Sequence, residues 1–123
     1  MAKKKILIID DEKDFCAMVK LNLERNDEYE VRVEFVPGYA LETAKYFKPD
    51  LIFLDLVMPD LDGLSVFNQL QEDRELQHIP VVFLTAIMSK EEVEHCKGIA
   101  SEQIVLAKPI KLADLVECIK NNT

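Results

Sequence analysis

Four apolar runs in this chain are unbroken, and each stops at a polar residue. The runs are Ile6 to Ile9, Leu51 to Leu54, Val81 to Leu84 and Ile104 to Ala107. The residues that follow them are Asp10 with Asp11, then Asp55, Thr85 and Lys108. A short continuous apolar run is the mark of a strand buried on both faces, as in a parallel sheet; a sheet with one wet face would alternate instead. A fifth run does alternate: Val31, Val33 and Phe35 are separated by Arg32 and Glu34. That pattern predicts a half-exposed strand at a sheet edge.

Helical patterns fill the intervals. Phe15, Val19 and Leu23 fall on one face with Met18 beside them; Ala40, Ala44 and Phe47 repeat the spacing before the third strand, and Leu64, Phe67 and Leu70 before the fourth. Ser89 and Glu92 form a capping box that opens a helix with a thin apolar stripe of Val93, Cys96 and Ala100. Leu112, Leu115, Val116 and Ile119 make the last stripe. The expected order is βαβαβαβαβα, which implies right-handed crossovers and helices on both faces of a parallel sheet. With the second strand at an edge, the expectation is an α/β, flavodoxin-like three-layer sandwich: a five-stranded parallel sheet in order 2-1-3-4-5 with five helices. Ligands of such sheets sit beyond the carboxyl ends of the strands, where the strand order reverses.

Length and composition bound the function. At 123 residues, the expectation is a single domain over 1–123. Hydrophobic residues make up 49% and charged residues 31%, which supports a packed core rather than disorder. Fifteen basic against 23 acidic residues give a net charge of −8, which disfavours direct nucleic-acid binding and anionic membranes. The apolar run near the N-terminus is too short for a signal peptide and no stretch could span a bilayer, so the expected location is cytoplasmic. Cys16, Cys96 and Cys118 lack paired spacing and fit free thiols in a reducing compartment. His95 and Cys96 are adjacent, a poor spacing for two metal ligands on a helix, and His78 reads as a surface residue. Three glycines (Gly38, Gly63 and Gly98) leave no phosphate-binding loop.

All strand ends of a parallel sheet lie on one edge, so Asp10, Asp11, Asp55, Thr85 and Lys108 are expected to converge. Alone, an Asp after a strand is more often a helix cap or turn former, Thr85 a strand-end residue and Lys108 a solvated lysine. Together they make a site. Two carboxylates about 4 Å apart repel by roughly 4 kcal/mol at an effective dielectric near 20. Either one acid holds a proton or a cation binds, and a few carboxylates completed by water suit magnesium. With a cation, the lysine and a hydroxyl placed around it, Asp55 could accept a phosphoryl group. Asp60 and Asp62 read as a turn, because a calcium loop in that frame would start at Met58.

The motifs IIDDE, FLDLVMPDLDG, VVFLTA and LAKPI, in this order, resemble those of the receiver domains of two-component response regulators. The resemblance spans essentially the whole chain. It implies a phosphoacceptor, Asp55, that takes its phosphoryl group from a phosphohistidine on a sensor histidine kinase or phosphotransfer protein and then changes its binding to an output domain or protein partner. It implies that Asp10, Asp11, Asp55 and the backbone carbonyl of Val57 hold magnesium, that Lys108 pairs with the phosphoryl group, and that Thr85 is the switch hydroxyl. Pro109 resembles the family's cis proline. Such a domain is no enzyme beyond magnesium-assisted self-phosphorylation and slow self-dephosphorylation. The chain leaves no length for an output domain after Ile119, which fits a stand-alone receiver or a segment of a longer protein.

One departure stands out. Many members carry an aromatic residue where this chain has Val105, and that ring turns inward when the hydroxyl moves; a valine cannot, so the helix opening at Ser89 is expected to carry the relay. Val57 and Ile87 flank the expected path of attacking water and are apolar, which predicts slow dephosphorylation. The alternative is a receiver-like protein-binding module that works without phosphorylation. A hydrolase of the haloacid dehalogenase type would carry Asp-x-Asp-x-Thr after the first strand, where this chain has Asp10-Asp11-Glu12-Lys13.

Overall fold

The structure, a computed structural model, describes residues 3–25, 27–56, 63–85, 104–107 and 110–123. Five parallel strands are present: β1 (Lys4–Ile9), β2 (Tyr29–Glu34), β3 (Leu51–Asp55), β4 (Val81–Thr85) and β5 (Ile104–Ala107). Their order is β2-β1-β3-β4-β5, as the edge character of the second run predicts. Four α-helices are described: α1 (Lys13–Glu24), α2 (Ala40–Phe47), α3 (Gly63–Glu72) and α4 (Leu112–Asn122). The helix expected from Ser89 lies outside the described residues, so the described chain carries four of the five expected helices.

The period-two geometry of the strands divides the core. Leu7, Ile9, Ile52, Leu54, Val81 and Phe83 point to one face, where Ala40, Ala44, Phe47, Val66 and Leu70 of α2 and α3 cover them. Ile6, Ile8, Leu51, Phe53, Val82 and Leu84 point to the other, against Cys16, Val19 and Leu23 of α1 and Leu115, Cys118 and Ile119 of α4. The runs of β1, β3 and β4 are therefore continuous because each of these strands feeds two cores. β2 feeds one only: Tyr29 and Val31 are buried while Glu30 and Arg32 are exposed.

Some details differ from the periodicity. On α1 the buried set is Cys16, Val19 and Leu23, with Phe15 only partly covered and Met18 exposed. A 100° advance per residue lets Cys16 or Phe15 start the same stripe, and the small thiol fits against the sheet. β2 stops at Glu34, and a short 3-10 turn (Pro37–Tyr39) leads into α2, leaving Phe35 exposed. β3 and β4 include Asp55 and Thr85 as their last residues. α2 ends at Lys48, whose φ of 56° is left-handed and whose N–H reaches the Ala44 carbonyl at 2.9 Å. Glycine is the usual occupant of such a cap, and Pro49 then prevents the helix from continuing.

Candidate functional site

The site is built by strand register. Ile9 pairs with Leu54, so Asp10 and Asp55 extend from neighbouring strands at the same level. Asp55 in turn pairs with Leu84, and Thr85 with Ala107, the residue before Lys108. Two hydrogen bonds carry the pairing past the strand ends: Asp10 N–H to the Glu34 carbonyl at 3.1 Å, and Leu56 N–H to the Leu84 carbonyl at 2.9 Å.

Asp10, Asp11 and Asp55 each offer a carboxylate oxygen, and the three oxygens lie within 4.8 Å of one another. Asp10 is wholly buried and Asp55 is 3% exposed, while Asp11 is half-buried. These are the only buried charged residues among the described part of the chain. At such separations each pair of carboxylates repels by roughly 3–4 kcal/mol at an effective dielectric near 20. The donor set is all oxygen, anionic and less buried on the Asp11 side, where water would complete a coordination shell. That chemistry fits a hard divalent cation such as magnesium and not a soft one.

The surrounding backbone fixes the acids. The Asp10 carboxylate accepts the Glu12 N–H at 2.9 Å, turning the chain toward α1, which starts after the three residues Asp10, Asp11 and Glu12. The Cys16 thiol, one turn into that helix and buried, donates to the Asp10 carbonyl at 3.7 Å. On the far side Gly63 opens α3 against the acceptor strand, with its N–H donating to the Leu56 carbonyl at 3.0 Å. A methyl group there would sit 2.1 Å from the Asp55 carbonyl oxygen and 2.7 Å from the Leu56 Cα. Only glycine permits that approach, since both neighbours are backbone. Cys16 and Gly63 were not singled out by sequence; the one available signal was a glycine placed directly after the turn that follows Asp55.

Of the residues predicted for the site, the structure brings Asp10, Asp11 and Asp55 together and places the Thr85 backbone at the same edge. Val57, Lys108, Pro109 and Ile87 lie outside the described residues, as do Asp60, Asp62, His95 and Cys96. Val105 is in β5, paired with Phe83. His78 is exposed, as read from sequence, and Cys16 and Cys118 are free buried thiols. Burial raises the Cys118 thiol above its ordinary value, so it is a packing residue at neutral pH. Among the described residues no helix is long and apolar enough to cross a membrane.

Known proteins are similar to this chain in sequence and in fold. The sequence profile of the response regulator receiver domain matches residues 6–120. The polar-differentiation response regulator DivK of Brucella anthropi is 38% identical over 82 residues, a stretch that spans 67% of this chain and 66% of that protein. The receiver domain of a DNA-binding response regulator from Colwellia psychrerythraea superposes with a TM-score of 0.82 at 27% identity, covering 97% of both chains. Chemotaxis protein CheY4 of Vibrio cholerae shares the fold, with a TM-score of 0.85 at 24% identity over 99% of this chain and all of its own. With its sheet order, its acid cluster and its profile match in agreement, the chain belongs to the response regulator receiver domain family, whose members serve as signalling switches.

Proposed function

We propose that Asp55 accepts a phosphoryl group from a phosphohistidine on a sensor histidine kinase or phosphotransfer protein, and that the resulting acyl phosphate changes which partner the domain binds. The observation that carries this reading is the convergence of three carboxylates within 4.8 Å, two of them buried. Burying like charges together costs stability and is retained where function uses it.

A carboxylate oxygen of Asp55 attacks phosphorus in line, the phosphorus–nitrogen bond breaks, and the departing imidazole keeps the electron pair and takes a proton from solvent. Asp10, Asp11, Asp55 and the Val57 carbonyl are the residues that would hold magnesium, which when bound supplies positive charge against the carboxylates and the phosphoryl oxygens. Lys108 pairs with one of those oxygens. Thr85 donates its hydroxyl to another, and the segment after β4 follows it. A contact made in only one state is what biases a two-state equilibrium, and here that contact is the Thr85 hydroxyl. Val105 has no ring to turn, so the segment from Ser89 onward carries the relay; hydrogen exchange over that segment, with and without a phosphoryl mimic, reads it directly, and an unchanged pattern contradicts it. Val57 and Ile87 cannot orient water, and the phosphorylated state is long-lived.

The test is incubation with magnesium and a small phosphodonor, followed by intact mass. Wild type gains one phosphoryl group only when magnesium is present, and Asp55→Asn gains none. Equal labelling of Asp55→Asn overturns the assignment. Val57→Asn shortens the lifetime of the phosphorylated protein; an unchanged lifetime removes the hydrolysis argument.

A further inference from the structure

The free edge of β2 is capped at a single residue by two side chains of α1. Backbone groups of Glu28 and Glu34 serve β1 through hydrogen bonds from Lys4 and Asp10. By strand alternation the N–H and C=O of Tyr29, Val31 and Val33 point the other way, to the open edge. There the Val31 N–H donates to Glu24 Oε2 at 3.1 Å, and its carbonyl accepts from Lys20 Nζ at 2.8 Å. Lys20 and Glu24 close the loop with their own ion pair at 3.4 Å. Both remain partly exposed, at 46% and 34% of their side chains, so this is a clasp over the edge and not part of the core. A cavity of about 640 Å3 runs along the same edge, lined on one side by Lys20 and Glu24 and on the other by Glu30, Arg32 and Phe47.

We propose that this clasp covers a latent self-pairing edge, and that its occupant once released is the β2 strand of a second copy, antiparallel and centred on Val31. Charge complementarity selects that register. With Val31 opposite Val31 of the partner copy, Glu30 faces Arg32 and Arg32 faces Glu30, while Tyr29 faces Val33; the acidic pair of this register, Glu28 with Glu34, falls at its ends, where Glu28 precedes the strand and Glu34 is held by Thr43. Centring the pair on Arg32 instead would set arginine against arginine and Glu30 against Glu34, and like charges directly opposite are destabilising. Centring it on Val33 would need Glu34, whose carboxylate is already held by the Thr43 hydroxyl at 2.5 Å and the Val36 N–H at 3.0 Å. Glu30 is exposed, and Arg32 lies 5.4 Å from the ring centroid of exposed Tyr46, at the groove and within reach of it. In an antiparallel pair, residues that face each other with both backbone groups exchange two hydrogen bonds. Val31 is such a residue at the two-fold axis, and the clasp occupies the very donor and acceptor that would be exchanged. An uncovered edge invites pairing with another chain, and covering charges are the usual protection.

The experiment is sedimentation velocity on the whole chain. Lys20→Ala/Glu24→Ala strengthens self-association at least about tenfold over wild type, a change of about 1.4 kcal/mol. Adding Glu30→Arg to that variant removes the gain, and adding Glu30→Arg with Arg32→Glu restores it. Should the double variant fold poorly by circular dichroism, Lys20→Met keeps the packing stem while deleting the donor to Val31, and it shows the same charge-dependent gain in smaller measure. Self-association no stronger than wild type in a folded clasp variant overturns the proposal. So does a gain that Glu30→Arg leaves untouched, since another register or surface then carries it.

Discussion

The two ends of the sheet treat acidic residues in opposite ways. At the amino end Asp50 and Asp73 each have a matched donor. Asp50 accepts the Lys5 N–H at 2.8 Å. Asp73 meets Lys45 at 2.9 Å and accepts the N–H of Glu75 at 2.9 Å, closing the turn after α3. The Lys45 ammonium and the backbone N–H groups hold the Asp73 carboxyl below its ordinary value, and the same pair holds Lys45 above its own. At the carboxyl end Asp10, Asp11 and Asp55 face one another instead. One end is arranged for folding. The other gathers three carboxylates within 4.8 Å of one another, with the Glu12 N–H already serving Asp10.

The largest effect is expected at Gly63, where α3 meets the acid-bearing end of the sheet. Its neighbours are the backbone of Asp55 and Leu56, so an added methyl group must displace the acceptor strand or α3. Gly63→Ala is expected to lose about 3 kcal/mol in urea unfolding and phosphoryl acceptance along with it. The surface glycine Gly38 has nothing within 4 Å of an added Cβ, and Gly38→Ala is the control, with little loss.

Neutralising single acids sharpens the contrast in sign. Without divalent ions, Asp55→Asn or Asp10→Asn relieves repulsion and raises stability by about 1–2 kcal/mol. Asp73→Asn at the other end lowers it. A stabilisation at Asp73, or a loss at Asp55, would erase the distinction drawn between the two ends. A smaller effect comes from Lys48, whose left-handed backbone suits glycine: Lys48→Gly gains up to about 1 kcal/mol. The smallest is a pH effect. Because the folded state lowers the Asp73 pKa, its contribution is present above the ordinary carboxylate range, near pH 4, and is lost as pH falls through the lowered value. Lys45→Met flattens the acid limb of the stability profile measured by thermal unfolding across pH, and an unaltered limb contradicts the pairing.

Much of this was legible in the residues. Three of the continuous runs, those of β1, β3 and β4, announced strands buried on two faces, and the alternation at Val31 and Val33 announced an edge, because period-two exposure is a direct physical consequence of strand position. The acid cluster was legible for the same reason: once the sheet is parallel, the residues after each run must share an edge. Less was readable where geometry depends on a few degrees of helix rotation or on backbone approach. Cys16 and Phe15 are adjacent, and only packing against the sheet decides which is buried. Gly63 is one glycine among three, and its role depends on how closely α3 meets Asp55. The clasp of Lys20 and Glu24 on Val31 joins residues whose contact follows from the docking angle of α1, which no pattern in the sequence states.

If the acids at the carboxyl end serve a divalent cation, that cation must stabilise the fold, and thermal unfolding across a magnesium titration, on wild type and on Asp10→Asn, reads this. A ligand that binds only the folded state raises the unfolding temperature with its concentration. Wild type should climb steadily with magnesium while Asp10→Asn stays nearly flat. A flat wild-type curve, or equal slopes for both proteins, would contradict the account.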